Sequence, residues 1–93
     1  MKSKRGKLEI VGEILDVINR GETKKTRIMQ SVYLGWRSFK NYLDFLLENG
    51  LIEENGVNDT ETHYVLTEGG LNFLNCYRQI KILLNGNNGN FGY

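Results

Sequence analysis

Between residues 26 and 47 the chain carries two helical patterns separated by a three-residue break. Ile28, Met29 and Val32 recur at helical steps, Tyr33-Leu34-Gly35 interrupts them, and Phe39, Leu43, Leu46 and Leu47 resume the period. A connection that short makes the second helix leave in a sharply different direction from the first. Asn49-Gly50 then stops the second helix, and Leu51-Ile52-Glu53-Glu54 follows at once as a strand. Short helix, tight turn, longer helix, glycine stop and strand is the order that constrains this chain most.

The flanking segments extend it. Leu8, Val11, Ile14, Leu15 and Ile18 step by three and four, which predicts an amphipathic helix over 7–20 ended by Gly21. Thr23 is placed to accept a backbone bond and start the helix at 24–32. Gly35 is expected to take the sharp turn. In the helix at 36–49, Tyr42 lies beside the apolar stripe, with Arg37, Ser38, Lys40, Asn41 and Asp44 toward the other side. The strand at 51–54 pairs with a returning strand at 62–66 across the turn dipeptides Asn55-Gly56 and Asn58-Asp59. Thr67 caps a last helix over 67–84, in which Gly69 and Gly70 each cost about 1 kcal/mol relative to Ala. Phe73, Tyr77, Ile80 and Leu84, spaced 4, 3 and 4, form a coiled-coil seam, and Leu71, Leu74 and Ile82 form a second apolar line. One line packs on the domain and the other is left for a partner; the seam is assigned to dimerisation. The expected organisation is one domain over 1–84, mainly α with a small β-hairpin (α+β), its last helix coiled-coil in type, followed by an Asn/Gly-rich flexible tail at 85–93.

Composition narrows the class. Ninety-three residues make one domain, which on its own would be only marginally stable. No apolar run reaches the roughly 20 residues of a membrane span, and no apolar stretch follows the basic start as in a secretory leader. The single cysteine, Cys76, excludes an internal disulfide and fits a reducing cytoplasm. Net charge is +1, yet residues 1–40 carry ten basic and four acidic side chains, net +6, whereas residues 41–93 carry two and seven, net −5. A polyanion would be drawn to the first part and repelled by much of the second.

The stretches KKTRIMQSVYLGWRSFKNYLDFLLENGLIE and HYVLTEGGLNFL resemble the archaeal winged helix-turn-helix DNA-binding proteins and predicted transcriptional regulators that carry a C-terminal dimerising helix. The resemblance covers residues 8–84, with Gly69 standing where a Lys is common in that family. It implies that the third helix reads double-stranded DNA and that the last helix pairs two subunits, often as an antiparallel coiled coil. The expected protein is thus a homodimer, cytoplasmic and nucleoid-associated, with no membrane partner.

The residues support specific roles. Trp36, Arg37, Ser38, Lys40 and Asn41 open the third helix, the part that reaches base edges in helix-turn-helix complexes. Arg can grip guanine and Asn adenine with two bonds each. Trp36 reads equally as a phosphate-side contact or as an aromatic closing the core. Lys24, Lys25 and Arg27 stand at the start of the second helix, where free N–H groups and cations suit phosphates. Lys2, Lys4, Arg5 and Lys7 form either a nucleic-acid-binding arm or a solubilising terminus. Glu53, Glu54, Asp59 and Glu61 make the hairpin acidic, so it is not assigned to DNA, and this leaves open a protein-interaction module. An architectural DNA-packaging protein is a further alternative.

No enzyme is expected. His63 is the sole histidine, without a nucleophile at motif spacing, and Cys76 reads as a small packing residue. One His and one Cys cannot make a four-ligand zinc site, and no phosphate loop or dinucleotide fingerprint is present, so no cofactor is expected.

Overall fold

The computed structural model describes residues 5–56 and 62–86. Lys2, Lys4, Asn58-Asp59, Glu61 and the tail from residue 87 onward lie outside the described residues. The elements run α1 (Lys7–Asn19), α2 (Lys25–Ser31), α3 (Trp36–Glu48), β1 (Ile52–Asn55), β2 (His63–Leu66) and α4 (Glu68–Gly86). This is the expected architecture, mainly helical with one antiparallel hairpin. α4 is longer than expected, so Asn85 and Gly86, assigned by composition to the tail, are helical.

The core forms where the apolar stripes meet. Ile14 and Leu15 of α1, Ile28 of α2, Phe39 and Leu46 of α3 and Leu74 of α4 are wholly buried. Each such side chain contributes roughly 1.5–3 kcal/mol by leaving water. Ile52 and Tyr64 close the core from the hairpin, whose register pairs Ile52 with Leu66 and Glu54 with Tyr64.

Three helices end in one hydrogen-bond pattern, the Schellman motif. After α1, Gly21 N–H donates to the Ile18 carbonyl and Glu22 N–H to that of Val17; after α3, Gly50 donates to Leu47 and Leu51 to Leu46. After α2, Tyr33 donates to Gln30 at 3.2 Å and Leu34 to Met29 at 3.3 Å. The motif needs a left-handed residue, and these are Gly21 (φ 112°), Gly50 (φ 69°) and Tyr33 (φ 57°). The sharp turn is therefore taken by Tyr33 and not, as expected, by Gly35. Gly35 is extended (φ −73°, ψ 166°) and serves as the N-cap of α3, because the last carbonyls of α2 must be closed two residues earlier.

Thr23 also differs from expectation. Lys24 is the N-cap of α2 and makes no side-chain cap bond. The Thr23 hydroxyl instead pairs with His63 Nδ1 at 2.8 Å, and the Thr23 carbonyl accepts from Tyr64 N–H at 3.0 Å. With Lys24 bridged to His63, this segment acts as a one-pair third strand that ties the start of α2 to the hairpin.

Thr67 caps α4 as expected, its Oγ1 accepting from Gly70 N–H at 3.0 Å and donating to the Gly50 carbonyl at 2.5 Å. Gly70 is a steric requirement, since a Cβ there would stand 2.0 Å from the Leu51 carbonyl oxygen. α4 crosses α1 where Gly12 admits the ring of Tyr77; a Cβ on Gly12 would lie 2.5 Å from that ring. Asp16 of α1 accepts from Arg78 of α4 at 2.6 Å and also pairs with Arg20. This crossing divides the expected dimer seam. Tyr77 is only 5% exposed and Phe73 packs partly against the core, so both serve their own chain, whereas Ile80 and Leu84 stay 41% and 45% exposed. The second line divides too, with Leu74 buried and Leu71 and Ile82 exposed. Cys76 is exposed, a correction to its reading as a packing residue.

Candidate nucleic-acid interface

α3 buries Phe39, Leu43 and Leu46, which leaves Arg37, Ser38, Lys40 and Asn41 exposed on its outer side. Its N-cap, Gly35, has no side chain to satisfy the first N–H groups, so the positive end of the helix dipole is left unneutralised there. Trp36 is partly packed and partly exposed. Its ring leans on buried Phe39 (centroids 6.2 Å apart, planes at 45°), yet it remains 48% exposed.

Lys25, on the first turn of α2, sets its ammonium 5.4 Å from the Trp36 ring centroid. That cation–π contact joins the starts of α2 and α3 into one cationic shelf. Lys24 is exposed at the N-cap of α2. Arg27 is exposed but pairs with Glu22 at 3.3 Å, and Lys40 pairs with Asp44 at 3.2 Å. Exposed pairs of this kind are weak, on the order of 0–1 kcal/mol, and yield readily to a stronger anion. Arg37 and Lys24 have no ion-pair partner among the described residues.

On the other side of α3 the start of α1 approaches. Lys7 and Val11 line a groove of about 370 Å³ together with Ser38, Asn41, Tyr42 and Phe45. Lys7, which sequence alone placed in a terminal arm, therefore borders the same face as the candidate base readers. Arg5 of that arm is instead held in an ion pair with Glu13. Phe45, 46% exposed, was missed by sequence reading, although it continues the Ser38–Asn41 row at helical spacing.

The charge reverses along α3. Asp44 lies toward its middle and exposed Glu48 at its end, beside the hairpin with exposed Glu53 and Glu54. Tyr64 donates its hydroxyl to Glu54 at 3.2 Å. Burial, reinforced by the charge of Glu54, pushes that hydroxyl up to about 12. On α4, burial and then the charge of Glu13 raise the hydroxyl of Tyr77 as well.

Comparison with known proteins bears on the fold that carries these residues. An uncharacterised protein of Methanocaldococcus jannaschii is 50% identical over 52 residues, which is 56% of this chain and 54% of that protein. The chain thus spans about half the length of that curated relative. Among solved structures, Sso10a-2, a DNA-binding protein from Sulfolobus solfataricus, superposes with a TM-score of 0.76 at 26% identity, covering 92% of this chain and 90% of that one. The S. aureus MepR–DNA complex shares the fold at a TM-score of 0.71 and 16% identity, over 89% of this chain and 63% of that one. A family model described as winged helix-turn-helix matches residues 4–85, and the chain belongs to that family.

Proposed function

We propose that this chain binds double-stranded DNA by the N-terminal half of α3 and acts as a homodimeric transcriptional regulator at the nucleoid. One observation carries the reading: Lys25 stands over Trp36, so the start of α2 and the exposed side chains that open α3 share one surface. Lys24, Lys25 and Arg27 catch phosphates, and Lys7 does the same from the far side. Arg37, Ser38, Lys40 and Asn41 then meet base edges in the major groove. The similarity to Sso10a-2 supports DNA as the ligand, and the fold shared with MepR is one that has been seen in a complex with DNA.

Pairing of subunits falls to the last two turns of α4. Ile80, Ile82, Leu83 and Leu84 are all exposed there, beyond the reach of the α1 crossing. Burying such a surface against a second copy supplies apolar area that a domain this small lacks. Pairing would fix the spacing of two α3 helices and so of two half-sites. Ile80→Asp is expected to turn a dimer into monomers in sedimentation; persistence of the dimer would exclude this seam.

The single tryptophan gives a direct test of binding. Titration with duplex DNA at low salt is expected to change Trp36 emission, with log affinity falling against log salt by about 0.9 per phosphate neutralised. Absence of any binding at low salt would overturn the proposal. The acidic outer face of the hairpin favours a second reading, a protein-docking module, which that outcome would support.

A further inference from the structure

The exposed side of α3 carries two rows of different chemistry. Arg37, Lys40, Asp44 and Glu48 follow one another at three- and four-residue steps, and that row ends in two carboxylates, with Lys40 tied to Asp44 at 3.2 Å. Ser38, Asn41, Tyr42 and Phe45, at i, i+3, i+4 and i+7, make the neighbouring row, which carries no charge. All four line the groove of about 370 Å³ whose opposite wall is Lys7 and Val11, and no carboxylate is among its lining residues. Ser38 and Asn41 are exposed and form no side-chain hydrogen bond among the described residues. Tyr42 packs against the core, whereas Phe45 stays outside it, 46% exposed. A ring left that open adds little to the fold, yet it closes a row whose polar members are free to bond a ligand.

We infer that Phe45 is a specificity-determining residue of the DNA interface proposed above, meeting the methyl group of a thymine while Asn41 bonds the edge of a nearby adenine. The inference rests on the DNA-binding reading and names the sequence class that this groove selects. Asn can hold adenine with two hydrogen bonds, and among the four bases thymine alone presents a methyl group in the major groove, which suits an apolar side chain. The spacing is compatible. Four residues of helix advance about 6 Å, and successive bases of one strand lie about 3.4 Å apart, so Asn41 and Phe45 reach bases one or two steps from each other. Lys7, on the opposite wall, supplies the cation for the phosphates of that strand.

The test compares two short duplexes in fluorescence anisotropy at one low salt concentration: alternating A·T, and the same duplex with uracil in place of thymine. The exchange keeps every hydrogen-bonding group of the bases and deletes the methyl. Wild type is expected to bind the thymine duplex about fourfold more tightly, the scale of one buried methyl-sized group. Phe45→Ala is expected to bind both duplexes equally, at the level wild type shows on uracil, and to remain folded in circular dichroism because its ring lies outside the core. Asn41→Ala should weaken both duplexes about tenfold and preserve their ratio, since it removes the adenine contact alone. Equal binding of the two duplexes by wild type would overturn the inference without recourse to any variant, and would leave the DNA-binding reading intact. A preference for thymine that persists in Phe45→Ala would overturn it too, by assigning the preference to duplex shape or to another side chain. Failure of wild type to bind either duplex would instead remove the reading on which it rests.

Discussion

Two surfaces flank α3, and their chemistry is opposite. The shelf at its start gathers Lys25, Trp36, Arg37 and, across the groove, Lys7, with Arg37 and Lys7 lacking ion-pair partners among the described residues. The hairpin beside its other end exposes Glu53 and Glu54, with Glu54 on the same face as the buried Ile52 and Tyr64 and holding the Tyr64 hydroxyl at its edge. Both surfaces are built on the same core, yet only the first suits a polyanion. The comparison teaches that charge along this helix would orient it toward a polyanion with its N-terminal end leading. The hairpin closes the core and is pinned to the start of α2 by Thr23 and His63.

Several changes would break or sharpen that contrast. The largest effect is expected from Arg37→Ala combined with Lys40→Ala, which removes the exposed cations of α3. DNA affinity should drop on the order of 100-fold, since base contacts are worth roughly 1–3 kcal/mol each. Circular dichroism and thermal unfolding should show the fold retained, because both side chains are exposed.

A smaller effect separates the hairpin. Tyr64→Phe deletes the bond to Glu54 and should cost roughly 1 kcal/mol of stability, with DNA affinity unchanged. Its pH dependence has a definite sign. The hydroxyl is raised to about 12 in the fold from the ordinary 10, so the neutral form is favoured in the native state. The stability this provides is present below pH 10 and is lost as pH rises from 10 toward 12. Urea unfolding across that window should show the decline in wild type and a shallower one in Tyr64→Phe. The smallest effect is expected for Glu53→Lys. If the hairpin stays clear of the phosphates, affinity should move by less than about threefold at physiological salt, where charges beyond roughly 8 Å are screened. A large gain with a steeper salt slope would place the hairpin on DNA.

Much of this fold is legible in the sequence because it rests on local signals. The apolar periods of α1 and α3, the Asn49-Gly50 stop and the Thr67 cap all act within a few residues, and each stands where expected. Features that depend on distant partners were not legible. Thr23 looks like a cap until His63, forty residues later, claims its hydroxyl. The 4-3-4 spacing of Phe73, Tyr77, Ile80 and Leu84 does not say where α1 stops covering α4; that depends on Gly12 opposite Tyr77. Tyr33 carries no sequence mark of a left-handed backbone, and glycine two positions later drew the turn to the wrong residue. In the candidate interface the chemical types at 36–41 were readable, whereas the approach of Lys7 and the exposure of Phe45 needed the packing of α1 against α3.

The most direct test of the central claim is a heteronuclear NMR titration of the labelled protein with duplex DNA at low salt. The largest amide shifts are expected at Lys24 and Lys25 and along 36–41, with Glu53, Glu54 and the exposed end of α4 little changed. Shifts concentrated on β1 or on α4, with the start of α3 unmoved, would contradict it.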